Sequence, residues 1–279
     1  MEETLAGIYD ALAPEYARAV VPVFRPIAKR MLQLIDLRPG WQVLDAGTGT
    51  GLVALLSAPR VGKSGSMLGV DASEKMLEIA RHKAAQFGFT QCDFRVGDLE
   101  ALDQPNAQFN AVLSQFALHH TDPSESLREL HRVLVPDGTL VVHEWADTPN
   151  TPNKAVFDVL EKYRGAEASG ALALARTQSE RAYDFRVNLT QPESMAQLAR
   201  AAGFSDVEAH LEEHAMRVAN IDALFDFALA APLLHVETAA LSEDGRAMFL
   251  AEARTALRGF ETARGYEWTY SVVALVAHK

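Results

Sequence analysis

The segment VLDAGTGTGLVAL, residues 43–55, has three glycines at alternate positions, an acidic side chain two residues before the first of them, and an apolar run on each side. Gly47 and Gly49 lack a Cβ atom, so they can adopt a positive φ and let a ligand approach the backbone closely. Dinucleotide sites usually read G-x-G-x-x-G, but Leu52 occupies the third glycine position of that pattern here. A carboxylate at Asp45 would repel a pyrophosphate and attract an ammonium group. The segment therefore predicts a turn that binds a small molecule with a positive charge at one end.

Two further acids end the next two predicted strands. Asp71 ends the strand SMLGVD, at the distance beyond the glycine turn where an acid usually receives two ribose hydroxyls. Asp98 ends the strand CDFRVGD, where a carboxylate could accept a hydrogen bond from an adenine amino group. Three acids at three successive strand ends describe a ligand that is cationic at one end and carries a ribose and an adenine. S-adenosylmethionine fits this description better than a dinucleotide does.

Histidine and glutamate side chains follow the fourth and fifth predicted strands. His119 and His120 lie in ALHHTDP, and Glu144 lies in VVHEWAD beside His143. Histidine is the natural general base near neutral pH, and a hydroxyl acceptor needs such a base, whereas an amine or a stabilised carbanion does not. We expect one histidine of the pair to point inward, with Glu144 orienting its imidazole or holding the acceptor. The alternative, in which the pair caps the following helix and bonds to the backbone, stays open.

The elements that position these residues alternate between strands and helices. Apolar runs predict strands at residues 41–47, 66–71, 92–98, 109–118 and 139–146. Helical spacing and capping residues predict helices at residues 52–58, 73–87 and 123–134. Strands that alternate with helices form parallel βαβ units. The predicted fold class is therefore α/β, with a doubly wound, mostly parallel sheet.

The rest of the chain departs from this alternation. Residues 1–38 have helical spacing, and we expect Pro22 and Pro26 to break this stretch into two helices. Later patterns predict a helix in QPESMAQLARAAGF, a strand in FSDVEAHLEEHAM, helices at 220–234 and 242–264, and a final strand in EWTYSVVALVAHK. The predicted organisation is an N-terminal helical lid at 1–38, a core at 39–145 and 190–279, and an inserted helical cap over the acceptor pocket at 146–189.

Composition argues against several classes of protein. The net charge of -11 is unfavourable for a protein that binds the nucleic-acid backbone. A single cysteine, Cys92, excludes a disulfide framework and a cysteine-based zinc site, and it fits a reducing compartment such as the cytoplasm. The start MEETLAG lacks the apolar core of a signal peptide, and no apolar run of about 18 residues suggests a membrane span. We therefore expect a cytoplasmic protein without a bound metal, a membrane span or a nucleic-acid partner.

Five motifs, in order, resemble those of class I S-adenosylmethionine-dependent methyltransferases: VLDAGTGTG, GVDASEKML, VGDLEAL, VLSQFALHH and ELHRVLVPDGTL. Within that class they are similar to the small-molecule branch related to the ubiquinone and menaquinone biosynthesis methyltransferases, over residues 9–145. The resemblance implies transfer of a methyl group from S-adenosylmethionine to oxygen, nitrogen or carbon of a small organic acceptor. It also implies a seven-stranded sheet of order 3-2-1-4-5-7-6, whose last strand is antiparallel.

The resemblance also assigns roles to individual residues. Asp45 faces the amino group of the cofactor directly or through water, and Met76 and Leu99 sandwich the adenine. Gln115 closes the sulfonium side, and Tyr16 covers the cofactor as part of the lid. The residues predicted in this way to bind the cofactor are Tyr16, Asp45, Gly47, Thr48, Gly49, Asp71, Ala72, Met76, Asp98, Leu99 and Gln115.

Relatives of other function remain alternatives. SQFALHH lacks the Asn/Asp-Pro-Pro-aromatic stretch of enzymes that methylate amino groups of nucleic acids, and one cysteine is too few for arsenic methylation. A tRNA or protein methyltransferase would have a basic surface groove. A non-catalytic S-adenosylmethionine-binding protein would leave no acceptor cavity beside the sulfonium. A nicotinamide-dependent reductase would bind NAD instead.

Overall fold

The computed structural model describes residues 4–165, 168 and 170–279, and the chain divides into two compact units. Unit 1 comprises Met1–Phe24, Asp147–Glu180 and Glu213–Tyr270. Unit 2 comprises Arg25–Ala146, Arg181–Glu212 and Ser271–Lys279. Residues 1–3 of the predicted lid and residues 166, 167 and 169 of the predicted cap lie outside the described residues.

A sheet with the strand order β3-β2-β1-β4-β5-β8-β6 organises the fold. Its strands are β1 (Gln42–Ala46), β2 (Ser66–Asp71), β3 (Cys92–Val96), β4 (Phe109–Gln115), β5 (Leu134–Trp145), β6 (Ser205–Val218), β7 (Glu261–Thr262) and β8 (Gly265–His278). Strands β1 to β5 pair in parallel, and β8 is antiparallel to β5. The predicted α/β class, strand order and antiparallel last strand are confirmed. The sequence pattern missed β7, which pairs with β8 over two residues and is too short to give a periodic signal.

Apolar side chains fill both faces of the parallel strands, as expected for a sheet that helices cover on each side. Successive residues of a strand face opposite sides, so Leu44 and Ala46 of β1 join one core and Val43 joins the other. Asp45 shares the face of Val43 and is equally buried. A carboxylate at such a position needs hydrogen-bond donors around it.

Three helices of unit 2 begin just beyond the carboxyl ends of strands: α3 (Leu52–Val61), α4 (Glu74–Phe87) and α5 (Pro123–Val133). Helix α8 (Pro192–Ala201) and the larger part of α2 (Val21–Met31) also belong to unit 2. Ser73 caps α4 by accepting a hydrogen bond from the Met76 N–H, and Asp122 caps α5 in the same way. These caps fix the helix starts at the edge of the sheet where the predicted site residues cluster.

Unit 1 is mainly helical. Its helices are α1 (Leu5–Glu15), the first part of α2 (Val21–Met31), α6 (Pro152–Leu160), most of α7 (Gly170–Val187), α9 (Ile221–Leu229), α10 (Pro232–Ala240) and α11 (Glu243–Ala256). Ile8 and Leu12 of α1 pack with Ala175 of α7 and with Leu233 and Val236 of α10. Within the described residues, no single helix has the length and hydropathy to cross a membrane; α9 and α10, bent by 90° at their break, meet that test only as a pair.

The predicted break at the prolines was wrong. Helix α1 continues through a π-helical segment, Tyr16–Val20, into α2, which contains both Pro22 and Pro26. A proline inside a helix removes one backbone hydrogen bond. The buried apolar face of α2, which includes Ile27 and Met31, stabilises the helix across that loss.

Other predicted boundaries also differ, among them the start of the fifth strand, which was predicted at residue 139 but lies at Leu134. The helix predicted at 220–234 is divided between α9 and α10, because Pro232 starts a new helix. The helix predicted at 242–264 ends with α11, and a 3₁₀ turn and β7 follow it. The fourth strand, predicted to reach residue 118, ends at Gln115, because Phe116 has a φ of 57° and turns the chain.

Candidate active site

The glycine turn after β1 has the backbone conformation that its sequence predicts. Gly47, Gly49 and Gly51 have φ values of 75°, 53° and 81°. A Cβ at position 47 would lie 2.2 Å from the Cβ of Ala117, whereas a Cβ at position 49 would have nothing within 4 Å. Gly47 is therefore required by packing, and Gly49 leaves its backbone open to a ligand. The N–H groups of Gly47 and Thr48 both donate to the Val70 carbonyl, at 2.8 and 2.9 Å, which fixes the turn on β2.

Asp45 ties the turn to the first turn of α3. Its Oδ2 accepts hydrogen bonds from the Thr48 hydroxyl at 2.6 Å and from the Ala54 N–H at 2.8 Å. Burial raises the pKa of Asp45 to about 6, although both hydrogen bonds act in the opposite direction. Its Oδ1 accepts no hydrogen bond from any residue that the structure describes. One oxygen thus organises the protein, and the other is available for an external donor such as an ammonium group.

Asp71 connects the end of β2 to the glycine turn. Its Oδ2 accepts a hydrogen bond from the Gly49 N–H at 2.8 Å, and its Oδ1 accepts one from the Ser73 N–H at 2.9 Å. Both oxygens of Asp71 thus bond to main-chain N–H groups, one in the glycine turn and one at the start of α4. The neighbouring Ala72 is exposed, and Met76 is buried in the first turn of α4.

Asp98 and Leu99 follow β3 in a tight turn. The exposed Asp98 accepts a hydrogen bond from the Glu100 N–H at 2.9 Å, and its backbone pairs with Ala101. The buried Leu99 lies beside the glycine turn, since its Cδ1 is 3.8 Å from the position of a Cβ on Gly47. The ends of β1, β2 and β3 therefore all meet at the turn, as their spacing predicts.

Gln115 ends β4 with a side-chain amide whose donor is buried. Its Nε2 makes no hydrogen bond among the described residues. An unsatisfied buried donor costs about 1–3 kcal/mol, which a ligand that supplies an acceptor would offset. Three features fit a cofactor with polar groups at its amino-acid end. They are this donor, the open backbone at Gly49 and the Oδ1 of Asp45.

His119 and Glu144 form a buried hydrogen-bonded pair at the ends of β4 and β5. The Oε2 of Glu144 is 2.8 Å from Nδ1 of His119, and its Oε1 accepts a hydrogen bond from the Leu118 N–H at 2.7 Å. Glu144 is fully buried, and the side chain of His119 is 12% exposed. A carboxylate acts as an acceptor, so Nδ1 carries a proton, and in the neutral imidazole Nε2 has the lone pair. That Nε2 forms no hydrogen bond within the described residues.

His120 has a different environment from His119. Their ring centroids are 3.9 Å apart, but it is His119 that bonds to Glu144. Burial, together with the neighbouring His119, holds the pKa of His120 well below its usual value. The structure therefore singles out His119 as the imidazole with an orienting carboxylate.

Residues that the sequence did not indicate complete this region. Phe116 stacks on Trp145, and Ala117 packs against Gly47; neither has a sequence motif that predicts its contact. His143, the neighbour of Glu144, has its Nε2 3.9 Å from Oε2 of Glu212 and so belongs to a different polar group. Across the described ranges, no three His, Cys, Asp or Glu side chains are grouped as a metal site would require.

The predicted cofactor residue Tyr16 lies in unit 1. It is half-buried in the π-helical segment after α1, and its ring makes an edge contact with Tyr9, with centroids 6.2 Å apart. Its role at the cofactor stays a prediction.

Comparisons with known proteins identify the family. Residues 43–138 match a family model described as a methyltransferase domain. The nocamycin O-methyltransferase of Saccharothrix syringae is 32% identical over 233 residues, which cover 80% of this chain and 77% of that protein. A ubiquinone/menaquinone biosynthesis C-methyltransferase of Coxiella burnetii is 31% identical over 214 residues, 75% of this chain and 83% of that protein.

The fold matches as well. The solved structure of Haemonchus contortus phosphoethanolamine N-methyltransferase 2, in complex with S-adenosyl-L-methionine, aligns with a TM-score of 0.54 at 18% identity. The alignment covers 91% of this chain and 52% of that one. The chain belongs to the class I S-adenosylmethionine-dependent methyltransferases, and S-adenosylmethionine is its cofactor.

Proposed function

We propose that this methyltransferase methylates a hydroxyl oxygen of a small organic acceptor, with His119 as the general base. The observation that carries this proposal is the hydrogen bond of 2.8 Å between Nδ1 of His119 and the buried Glu144. A methyltransferase that acts on a free amine has no need of an oriented imidazole with an available Nε2. The relative named as an O-methyltransferase supports the same acceptor atom.

The cofactor would be held by side chains at the ends of the first four strands. Asp45 would bind the ammonium group through Oδ1, and Gly47, Thr48 and Gly49 would line the methionine end. Asp71, beside Ala72, would accept hydrogen bonds from the ribose hydroxyls. Asp98 would accept one from the adenine amino group, and Met76 and Leu99 would enclose the adenine ring. Gln115 would donate from the sulfonium side. Support for these roles comes from the hydrogen bonds of each carboxylate and from the open backbone at Gly49.

The protein's own contribution to the reaction is to orient the acceptor and to remove its proton. When bound, S-adenosylmethionine supplies a methyl group on a positively charged sulfur. Nε2 of His119 accepts the hydroxyl proton of the acceptor as the oxygen becomes a nucleophile. Glu144 stabilises the resulting imidazolium, because its buried carboxylate accepts the hydrogen bond from Nδ1. His120, whose pKa is lowered by burial, stays neutral and takes no proton.

Carbon methylation is the second candidate. The relative from Coxiella burnetii is named as a C-methyltransferase, and a base could also deprotonate an acidic phenol or enol before attack through carbon. The position of the new methyl group in the isolated product distinguishes the two.

The proposal is tested with a panel of small phenols, enols and quinols and radiolabelled S-adenosylmethionine. With an acceptor that is turned over, His119→Ala should lower kcat by about 10²–10⁴, the range for a lost general base. His120→Ala is the matched control and should stay within about threefold of the parent. Cofactor affinity, measured by calorimetry, should be similar in both variants. A His119→Ala enzyme as fast as His120→Ala would refute the base role.

The remaining roles belong to the same proposal. Residues 1–38 would act as the lid and residues 146–189 as the acceptor cap, and a cytoplasmic location stays a prediction. Tyr16→Phe and Tyr16→Ala test the lid: a weaker cofactor affinity for the alanine variant alone would support a covering ring. Equal affinities in both variants and the parent would remove Tyr16 from the site.

A further inference from the structure

Phe116 has a backbone conformation that is unusual for its size. Among the non-glycine residues that the structure describes, positive φ values occur at Ala107, Phe116, Asp137 and Asp206. Aspartate tolerates the left-handed region because its short side chain bonds locally, whereas a bulky side chain does so rarely. Strain of this kind persists where the surrounding structure enforces it, and it is often found at functional sites.

Two contacts with β5 hold Phe116 in place. Its ring stacks on Trp145, with centroids 3.6 Å apart and planes 5° from parallel. Its N–H donates to the His143 carbonyl at 2.8 Å. The two strands are paired up to this point, where Gln115 lies opposite His143. The turn is thus anchored on the strand that also carries Glu144.

The turn determines where the next three residues lie. Ala117 packs into the space that a side chain at Gly47 would fill. The Leu118 N–H donates to Oε1 of Glu144 at 2.7 Å, and Nδ1 of His119 lies 2.8 Å from Oε2. An extended residue at 116 would continue β4 and carry these groups away from Glu144. The imidazole is therefore oriented by a backbone turn as well as by a carboxylate.

We propose that the Phe116–Trp145 stack is the positioning element of the site, because it holds the left-handed turn that sets His119 on Glu144. The proposal rests on the proposed function insofar as His119 is the base. Phe116 and Trp145 are positioning residues, since they act through His119 and not on the reacting atoms.

The test compares alanine and glycine at position 116. Glycine adopts a φ of 57° without strain, so Phe116→Gly loses the stack but can keep the turn, whereas Phe116→Ala loses the stack and keeps the strain. We expect Phe116→Ala to lower kcat by about tenfold to a hundredfold, with the acceptor KM changed by less than about threefold. Phe116→Gly should retain at least about three times the kcat of Phe116→Ala.

The matched control is the other ring of the stack. Trp145 lies in β5 and does not have a positive φ, so glycine there adds only flexibility. Trp145→Ala should therefore be at least as active as Trp145→Gly, the reverse of the order at position 116. If Phe116→Ala does not fold, as judged by circular dichroism, Phe116→Leu takes its place, because it keeps apolar volume and strain without the stack.

A second readout does not depend on turnover. In protein with ¹⁵N-labelled histidine and bound S-adenosylhomocysteine, the Nδ1 proton of His119 should give a slowly exchanging resonance in the parent and in Phe116→Gly. Phe116→Ala should lose it. Either of two results would overturn the proposal. One is an unchanged resonance in Phe116→Ala, and the other is a Phe116→Ala enzyme that is more active than Phe116→Gly. If His119→Ala instead keeps full activity, the base role fails, and the resonance still decides the positioning role.

Discussion

The sheet edge at the carboxyl ends of the strands has two halves, one formed by β1 to β3 and the other by β4 and β5. The two halves differ in whether their polar groups have hydrogen-bond partners in the protein. In the first half, each acid accepts a hydrogen bond from a main-chain N–H: Asp45 from Ala54, Asp71 from Gly49 and Asp98 from Glu100. In the second half, Gln115 has a buried donor that no described residue satisfies, and Phe116 has a strained backbone. In the first half, each carboxylate is already bonded to the main chain before any ligand binds, although Oδ1 of Asp45 accepts no hydrogen bond from a described residue. The second half holds backbone strain at Phe116 and an unsatisfied buried donor on Gln115, features that are common at functional sites.

Both halves depend on Gly47, and its substitution should have the largest effect. In Gly47→Ala the new Cβ would lie 2.2 Å from the Cβ of Ala117, at a φ of 75°. The left-handed conformation costs about 1–2 kcal/mol and overpacking about 1–3 kcal/mol more. We expect a loss of stability of roughly 2–5 kcal/mol in urea unfolding.

Gly49→Ala is the control for this loss. Its φ is also positive, but a Cβ there has nothing within 4 Å. Its stability should fall by only about 1–2 kcal/mol, whereas its cofactor affinity should fall sharply because the methyl group enters the space left for the ligand. If the two variants lost equal stability, the close approach of Ala117 to Gly47 would not limit the fold.

Asp71→Ala should weaken cofactor binding by about 1.5–3 kcal/mol, or about 10- to 150-fold, because hydrogen bonds to a charged acceptor have this strength. The substitution removes the acceptor for the ribose hydroxyls and also the hydrogen bond that the Gly49 N–H donates to Asp71. Asp71→Asn keeps an acceptor oxygen and should lose less. Calorimetry with S-adenosylhomocysteine measures the difference. Unchanged affinity in a folded Asp71→Ala protein would leave this carboxylate with a purely structural role in the turn.

The first half of the edge could be predicted from the sequence because its signals are local. A glycine turn, an acid at a strand end and a cap such as Ser73 are each read from a few neighbouring residues. The partners of the acids could not be predicted in this way, since main-chain N–H groups have no sequence signature. The alternation of strands and helices likewise did not by itself predict the order of the strands in the sheet. That order came from the resemblance to a family.

The second half was harder to predict because its contacts join distant segments. His119 and Glu144 were expected to act together, and their hydrogen bond brings the ends of β4 and β5 together. The strained turn at Phe116 was missed, because an apolar residue after an apolar run predicts a longer strand. Its conformation depends on Trp145, far along the chain, and the contact of Ala117 with Gly47 is equally non-local.

The pH dependence of cofactor binding should report on Asp45. Its folded pKa, raised by burial to about 6, exceeds the usual 3.8, so the folded state binds this proton more tightly than the unfolded state does. Its contribution to stability is therefore greatest below pH 3.8 and declines as the pH rises to about 6. An ammonium group needs the ionised carboxylate, so cofactor affinity changes in the opposite direction.

We expect the Kd for S-adenosylhomocysteine to rise about tenfold from pH 7 to pH 5 as Asp45 becomes protonated. Asp45→Asn should bind weakly at both values and lose most of this dependence. If the asparagine variant keeps the full pH dependence, another group is responsible for it.

The smallest effect should come from Gln115, where stability and affinity should change in opposite directions. Its Nε2 is buried without a partner among the described residues, so Gln115→Leu removes an unsatisfied donor and should leave the ligand-free protein as stable as the parent or slightly more stable. The same change should weaken cofactor binding by about threefold to tenfold, the strength of one ordinary hydrogen bond. Gln115→Glu is the control, because a carboxylate of similar size offers no donor and would destabilise both states. Thermal unfolding and calorimetry on each variant measure the two quantities. A Gln115→Leu protein that loses stability but keeps its cofactor affinity would assign this amide to the fold, and it would remove one of the features that distinguish the two halves of the edge.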